Sequence, residues 1–236
     1  MYKKVRILFT GDSITDVYRT DLVRGVEDLF RQEIFPAAQH DAFINGMLGT
    51  GYPLLAASQL TCQHPGRYEV LNRGISGHRI VDLDARVKKD CINLAPDVLS
   101  IMIGINDVWH EVGEKNGVDA AKFRRVYDGM LEEIRTALPN IKLILLEPYV
   151  LNGPATQENW EYFRAETDLR REAVRELAKK YSAARIDTQE LFDAAAARSC
   201  AADWTADGVH PTPAGHWMLA QSWMAVFHSE IEPELK

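Results

Sequence analysis

Along the chain, short apolar runs alternate with longer stretches whose apolar residues recur at helical spacing. Val5 to Thr10, Tyr68 to Leu71, Asp97 to Ile103, Ile141 to Glu147 and Ala184 to Asp187 read as strands. The third of these is almost entirely apolar, the pattern of a central strand buried on both faces. Between them the periodicity predicts helices over Asp16 to Gln32, Leu54 to Leu60, Ile80 to Leu94, Ala120 to Leu138, Glu158 to Ser182, Gln189 to Arg198 and Pro213 to Phe227. The first carries Val17, Leu22, Val26 and Leu29 near helical spacing, and the third has Ile80, Leu83, Val87 and Cys91 on one stripe, with Pro96 ending it. Proline in the first turn opens the last helix. From Phe35 to Tyr52 the pattern dissolves, and Asn45 to Pro53, with three glycines and a proline, marks a loop. Its spacing fits no standard phosphate-binding pattern and no lysine follows, so it reads as a substrate-facing or structural loop. Strands alternating with helices, without internal repeats, predict a doubly wound parallel sheet with helices on both faces.

Such folds gather their chemistry at the carboxyl ends of strands. The first strand runs into Gly11-Asp12-Ser13, the second opens onto Asn72 to His78, and the third ends in Gly104-Ile105-Asn106-Asp107. Ser13 is the candidate nucleophile. A serine hydroxyl is inert at neutral pH unless a base takes its proton, a third group orients that base, and donors receive the oxyanion. Asp207 and His210 stand in Asp-Gly-Val-His-Pro-Thr, just before the last helix. An aspartate three residues before a histidine, with a glycine between, can hold one ring nitrogen and leave the other pointing outward. His40 and His64 fall in loops without an orienting acid, His78 lies near the donor cluster, and His216 and His228 belong to the last helix. The backbone N–H groups of Ser13 and Gly77 and the side-chain amide of Asn106 are the candidate oxyanion donors. No Gly-x-Ser-x-Gly elbow is present, so Ser13 is expected on an open loop after the first strand.

The chain has 236 residues, 46% of them hydrophobic and 26% charged, the balance of one globular domain spanning 1–236. A net charge of -7 repels nucleic acid and anionic membrane surfaces, so neither is an expected partner. Cys62, Cys91 and Cys200 are far apart and lack metal-ligand or disulfide spacing. The apolar run after Met1 to Val5 breaks at Gly11, too short for a signal sequence, and nothing approaches a membrane span of ~20 apolar residues. A cytoplasmic location is expected.

Gly11-Asp-Ser-Ile, Gly77, Gly104-x-Asn106-Asp107 and Asp207-x-x-His210 resemble, in order and spacing, the four blocks of the SGNH hydrolases, the GDSL esterase and lipase family. Each block is short, but the four span nearly the whole chain. The resemblance implies a three-layer α/β/α sandwich with a flavodoxin-like parallel sheet of about five strands. It implies Ser13 as nucleophile, His210 as general base then acid, Asp207 as its orienting partner, and Ser13, Gly77 and Asn106 around the oxyanion, with no cofactor and no metal. The longer strings Gly11-Asp-Ser-Ile-Thr-Asp, Asn72-x-Gly-Ile-Ser-Gly and Ile101-Met-Ile-Gly-Ile-Asn-Asp-Val-Trp are most similar to the bacterial acetylxylan esterase branch, as are Val209-His-Pro with Ala214-Gly-His216 and the Gly49-Thr-Gly-Tyr52 loop. That branch implies an acylated oligosaccharide substrate and a homo-oligomer. It carries an aromatic immediately before the aspartate, where this chain has Ala206, with Trp204 two residues earlier.

Asp12, Trp109 and Trp204 are the candidate substrate-facing residues. Three other readings are available to the same residues: a lysophospholipase or thioesterase acting on longer acyl groups, a metal-dependent phosphoesterase using Asp12, Asp16, Asn106, Asp107 and His210 as ligands, and a non-catalytic carbohydrate-binding protein.

Overall fold

The computed structural model describes residues 4–32 and 39–235. The chain runs β1 (Val5–Gly11), α1 (Ser13–Asp16), α2 (Arg19–Arg31), α3 (His40–Gly46), α4 (Tyr52–Gln63), β2 (Tyr68–Asn72), α5 (Ile80–Asp84), α6 (Val87–Asp90), β3 (Val98–Met102) and α7 (Ile105–Glu114). It continues through α8 (Ala120–Ala137), β4 (Lys142–Leu146), α9 (Trp160–Tyr181), β5 (Ala184–Ile186), α10 (Thr188–Ala196), α11 (Ala201–Trp204) and α12 (Pro213–Val226). The strands form one parallel sheet in the order β2-β1-β3-β4-β5. Ile7 lies opposite Val98, and Gly11 opposite Met102. After β1 the chain moves outward to β2 and then crosses back to β3. The carboxyl ends of β1 and β3 therefore flank the point where strand order reverses, the crevice where ligands bind in such sheets.

Alternation along the strands divides the core into two layers. Ile7, Phe9, Val98, Met102, Ile144 and Leu146 face one side and pack with Tyr52, Ala56 and Leu60 of α4 and Leu219, Ala220 and Trp223 of α12. Leu8, Leu99, Ile101, Leu143 and Leu145 face the other, against Phe123, Tyr127 and Leu131 of α8 and Val174 and Leu177 of α9. Helices thus cover both faces, giving three layers. The indole N–H of Trp223 donates to the Ser100 hydroxyl at 3.0 Å, so the one polar side chain of β3 is satisfied within the core.

Two predicted helices are broken. Asp16 to Gln32 divides into α1 and α2 because Val17 and Tyr18 both adopt left-handed backbone, with φ of 35° and 64°. Ile80 to Leu94 divides into α5, α6 and the single turn Ile92–Leu94, although the stripe Ile80, Leu83, Val87 and Cys91 is buried as its spacing requires. The helix α7 follows a strand end that reads as a polar cluster, and α11 lies in a stretch without helical periodicity. Positions 35–38 of the irregular stretch lie outside the described residues. Among the described residues no helix is long and apolar enough to cross a membrane.

The carboxyl end of β4 is tied down by an ion cluster around one buried carboxylate. Glu147, fully buried, accepts from Arg171 Nε at 2.9 Å, Arg175 Nε at 2.8 Å and Arg185, while Asp187 after β5 binds Arg171 at 3.0 Å and Arg175 at 2.8 Å. Removing one member of a buried charge group leaves its partners uncompensated. Glu147→Ala is expected to lower stability to urea unfolding by about 1–3 kcal/mol, because the partly exposed Arg175 and Arg185 can hydrate when it is removed. A loss below about 0.5 kcal/mol would mean that the remaining acids, Asp168 and Asp187 among them, suffice to hold the arginines.

Candidate active site

β1 delivers Ser13 to the switch point through a glycine that nothing else can replace. A Cβ on Gly11 would sit 2.0 Å from the Met102 carbonyl oxygen, so only glycine, at φ 152°, lets β1 leave the sheet this close to β3. Asp12 then caps the following turn, its Oδ1 accepting the Ile14 N–H at 3.0 Å. Ser13 is therefore the first residue of α1 rather than part of an open loop, which corrects the expectation from the sequence. First-turn N–H groups have no acceptor within their own helix. The Ser13 N–H finds none elsewhere among the described residues.

The hydroxyl of Ser13 lies 2.9 Å from His210 Nε2, and His210 Nδ1 lies 2.6 Å from Asp207 Oδ2. The second carboxylate oxygen, Asp207 Oδ1, accepts the backbone N–H of Val209 at 2.9 Å and of His210 at 2.8 Å. Gly208, at φ 108°, turns the backbone so that these contacts close, and a Cβ there would press to 2.6 Å on both the Leu151 carbonyl and the Thr156 hydroxyl. The segment after β4 clamps the turn from outside. Leu151 N–H donates to Gly208 O at 2.8 Å, Ala155 N–H to Asp207 O at 3.0 Å, and the Tyr149 hydroxyl to Val209 O at 2.6 Å.

Burial alone would raise the Asp207 carboxyl, but the hydrogen bonds from the His210 ring and from two backbone N–H groups outweigh it and bring the pKa down to about 2. The hydrogen bond to Asp207 in turn raises His210 above the ordinary histidine value, with burial opposing it. An anionic carboxylate thus holds Nδ1–H and directs Nε2 at the serine hydroxyl, the geometry of a general base.

The loops after β2 and β3 bring the donors to the same place. Asp16 Oδ2 accepts from Ser76 N–H at 3.2 Å and its hydroxyl at 2.7 Å, which fastens the residue before Gly77 to the end of α1. Arg86 spans the same gap, donating to Gly11 O at 3.1 Å and Arg73 O at 2.6 Å. Gly77 lies at φ 80°, and its N–H has no acceptor among the described residues. Asn106, in the first turn of α7, donates one amide hydrogen to His78 O at 3.1 Å, leaving the other for the site. Ser13, Gly77, Asn106 and His210 all line one cleft of about 620 Å³.

The substrate-facing candidates separate. Trp109 lines the cleft, edge-on to Phe163 at 5.6 Å and 6.5 Å from the His210 ring. Trp204 does not: its ring lies under Arg198 and its indole N–H donates to Ser199. Asp12 does not either. It is 1% exposed, one oxygen spent on the cap and the other without a partner, and burial pushes its pKa up to about 7 against the capping bond and the charges of His210 and Arg86. Both were expected at the substrate, and neither lines this cleft.

The carboxylates of the metal-dependent reading are engaged separately. Asp16 binds Thr20 and Ser76, and Asp107 accepts the Ile80 N–H and is pushed up to about 8 by burial. The glycine-rich loop is a packing device: Thr50 N–H donates to Val17 O at 3.0 Å and Tyr52 N–H to His216 Nδ1 at 3.3 Å. Burial lowers His216 to about 4, so it stays neutral as an acceptor. His216, Tyr18, Asp21, Ser76 and Glu114 also line the cleft and had not been singled out as site residues. Ser76 and His216 lay inside the quoted family strings, and Tyr18 was hidden by the continuous helix predicted over it.

Residues 9–218 match the GDSL-like lipase/acylhydrolase family. An acetylxylan esterase of Geobacillus stearothermophilus is 31% identical over 222 residues, 93% of this chain and 92% of that protein. Among solved structures, a candidate GDSL-like lipase from Parabacteroides merdae superposes with a TM-score of 0.81 at 31% identity over 97% of both chains. The acetylxylan esterase Axe2 of Geobacillus stearothermophilus gives 0.76 at 28% identity over 98% of both. The five-stranded parallel sheet between its helix layers is the SGNH hydrolase fold of these neighbours. With that fold and a family match over most of its length, the chain belongs to the GDSL-like lipase/acylhydrolase family, the SGNH hydrolases, and is a hydrolase of ester bonds.

Proposed function

We propose that the protein is a serine esterase that removes acetyl groups from neutral carbohydrate esters such as acetylated xylo-oligosaccharides, through an acetyl-enzyme on Ser13. The observation that carries the mechanism is the unbroken path of hydrogen bonds from Asp207 through His210 to Ser13. In this reaction His210 Nε2 takes the hydroxyl proton as Ser13 Oγ attacks the ester carbonyl. The oxyanion is received by the N–H groups of Ser13 and Gly77 and the free amide hydrogen of Asn106. The imidazolium, stabilised by Asp207, gives its proton to the departing alcohol oxygen. Water, deprotonated by the same histidine, then releases acetate.

The substrate class rests on the cleft and on the relatives. Asp21 and Glu114 line the cleft and, among the described residues, no lysine or arginine does, so none of these residues balances the phosphate of a lysophospholipid or a nucleotide-bearing thioester. A sugar ester brings no charge to such a lining. The matched relatives include an acetylxylan esterase and structures of an acetyl-xylooligosaccharide esterase.

Acetate release from acetylated xylo-oligosaccharides tests the assignment. The wild type is expected to turn over, and Ser13→Ala to fall on the order of 10⁴-fold or more. Equal rates would overturn the mechanism, and a wild type that cleaves only long-chain esters would move the substrate to the lysophospholipase or thioesterase class. A pH profile tests the role of Asp207. Because His210 must be neutral to act as base, and Asp207 raises it, kcat/KM is expected to fall as pH drops through a pKa above the ordinary histidine value. Asp207→Asn is expected to move that acid limb to lower pH while reducing kcat on the order of 10⁴-fold. An unmoved limb would show that Asp207 does not set the charge state of the base.

A further inference from the structure

Two consecutive residues beside the nucleophile are held in backbone conformations that their side chains disfavour. Val17, β-branched, has φ 35° and ψ 67°, and Tyr18 has φ 64° and ψ 6°. Left-handed backbone is rare for a bulky residue and rarer for a β-branched one, and such strain persists only where surrounding structure over-determines it. Here the glycine-rich loop does so. Gly49 packs so closely on this turn that a Cβ would lie 2.3 Å from Asp16 O and 2.8 Å from Val17 O, and a Cβ on Gly51 would strike the Val17 side chain at 2.6 Å. Thr50 N–H and Val17 O close the contact at 3.0 Å. On the other side, Val17 N–H bonds Ser13 O at 3.0 Å and Leu22 N–H bonds Tyr18 O at 3.0 Å.

The result of this enforced turn is the position of one ring. Tyr18 lines the cleft that holds Ser13 and His210, yet it is 69% exposed. Its side chain makes no hydrogen bond and no aromatic contact among the described residues. Most of the ring that the strained backbone presents is therefore left to solvent. Trp109, the other large aromatic of the cleft, is wedged against Phe163 close to His210, whereas Tyr18 stands free at the mouth. An acetyl group ends one carbon beyond the carbonyl, so whatever extends toward an exposed ring at the mouth belongs to the alcohol part of the ester.

We propose that Tyr18 is a specificity-determining platform on which a sugar ring of the alcohol part stacks, and that the strained Val17–Tyr18 turn, locked by Gly49 and Gly51, exists to present it. The proposal rests on the carbohydrate reading above. A pyranose offers an apolar face of C–H groups to a flat ring and keeps its hydroxyls at the edge, the amphipathic match for an exposed tyrosine.

The test compares kcat/KM for acetylated xylo-oligosaccharide with kcat/KM for ethyl acetate, which has no ring to stack. Tyr18→Ala is expected to lower the ratio on the order of 10-fold, chiefly through KM for the oligosaccharide. Tyr18→Phe is expected to keep it within about threefold, because the ring face is retained. Tyr18→Gly is expected to match the alanine variant in ratio while raising the thermal midpoint, since glycine adopts φ 64° without strain. An unchanged ratio in the alanine and glycine variants overturns the platform, as does a phenylalanine variant that falls as far as alanine. A wild type that hydrolyses ethyl acetate but not the oligosaccharide overturns the carbohydrate reading and the platform with it.

Discussion

Ser13 Oγ and His210 Nε2 meet at 2.9 Å although 197 positions separate them in the chain. A displacement of about 1 Å between reacting groups costs roughly 10² in rate, so everything between these residues must fix their separation more tightly than that. The sheet does so in two steps. Its β1–β3 register sets where the chain leaves β1, and β4 supplies the segment from Glu147 to Thr156 that clamps the Asp207 turn through Leu151, Ala155 and the Tyr149 hydroxyl. The arginines gathered on buried Glu147 anchor that segment at its root. The stability of the far edge of the sheet and the geometry of the site are the same problem.

Electrostatics divides the carboxyl groups near the serine. Asp207 is held at about 2, whereas Asp12 and Asp107 are pushed up to about 7 and about 8 by burial. Environments that push neighbouring carboxyl groups apart are how one site assigns them different work. In the proposed reaction the imidazolium faces one anion in direct contact, Asp207. Asp12 serves through its capping hydrogen bond, and Asp107 through the Ile80 N–H that ties the β2 loop to α7. The same aspartates that suggest a metal set in the sequence are thereby structural.

The strand pattern was legible because the apolar runs are too short for helices and alternate with segments of helical spacing, and the family blocks single out Ser13, Gly77, Asn106, Asp207 and His210. Helix continuity was not legible. Hydrophobic spacing reports which face is buried, and the stripe of Ile80, Leu83, Val87 and Cys91 is buried across two breaks in its helix. The break at Val17 and Tyr18 leaves no mark in composition either, since it is imposed by glycines more than 30 positions away. That break took Tyr18 out of view as a site residue. Asp12 and Trp204 lie off the cleft for a different reason: proximity in sequence to Ser13 or Asp207 does not decide on which side of the backbone a side chain lies. Asp12 turned inward to cap α1, and Trp204 turned toward Ser199.

The central claim, that His210 and Asp207 make Ser13 the nucleophile, is tested most directly by treating the active protein with a fluorophosphonate and mapping the adduct by mass spectrometry. The account predicts one covalent adduct, on the Ser13 peptide, forming in step with loss of esterase activity and at least 10²-fold more slowly in His210→Ala. Loss of activity with the adduct on another residue, or equal labelling of Ser13 in the histidine variant, would contradict it.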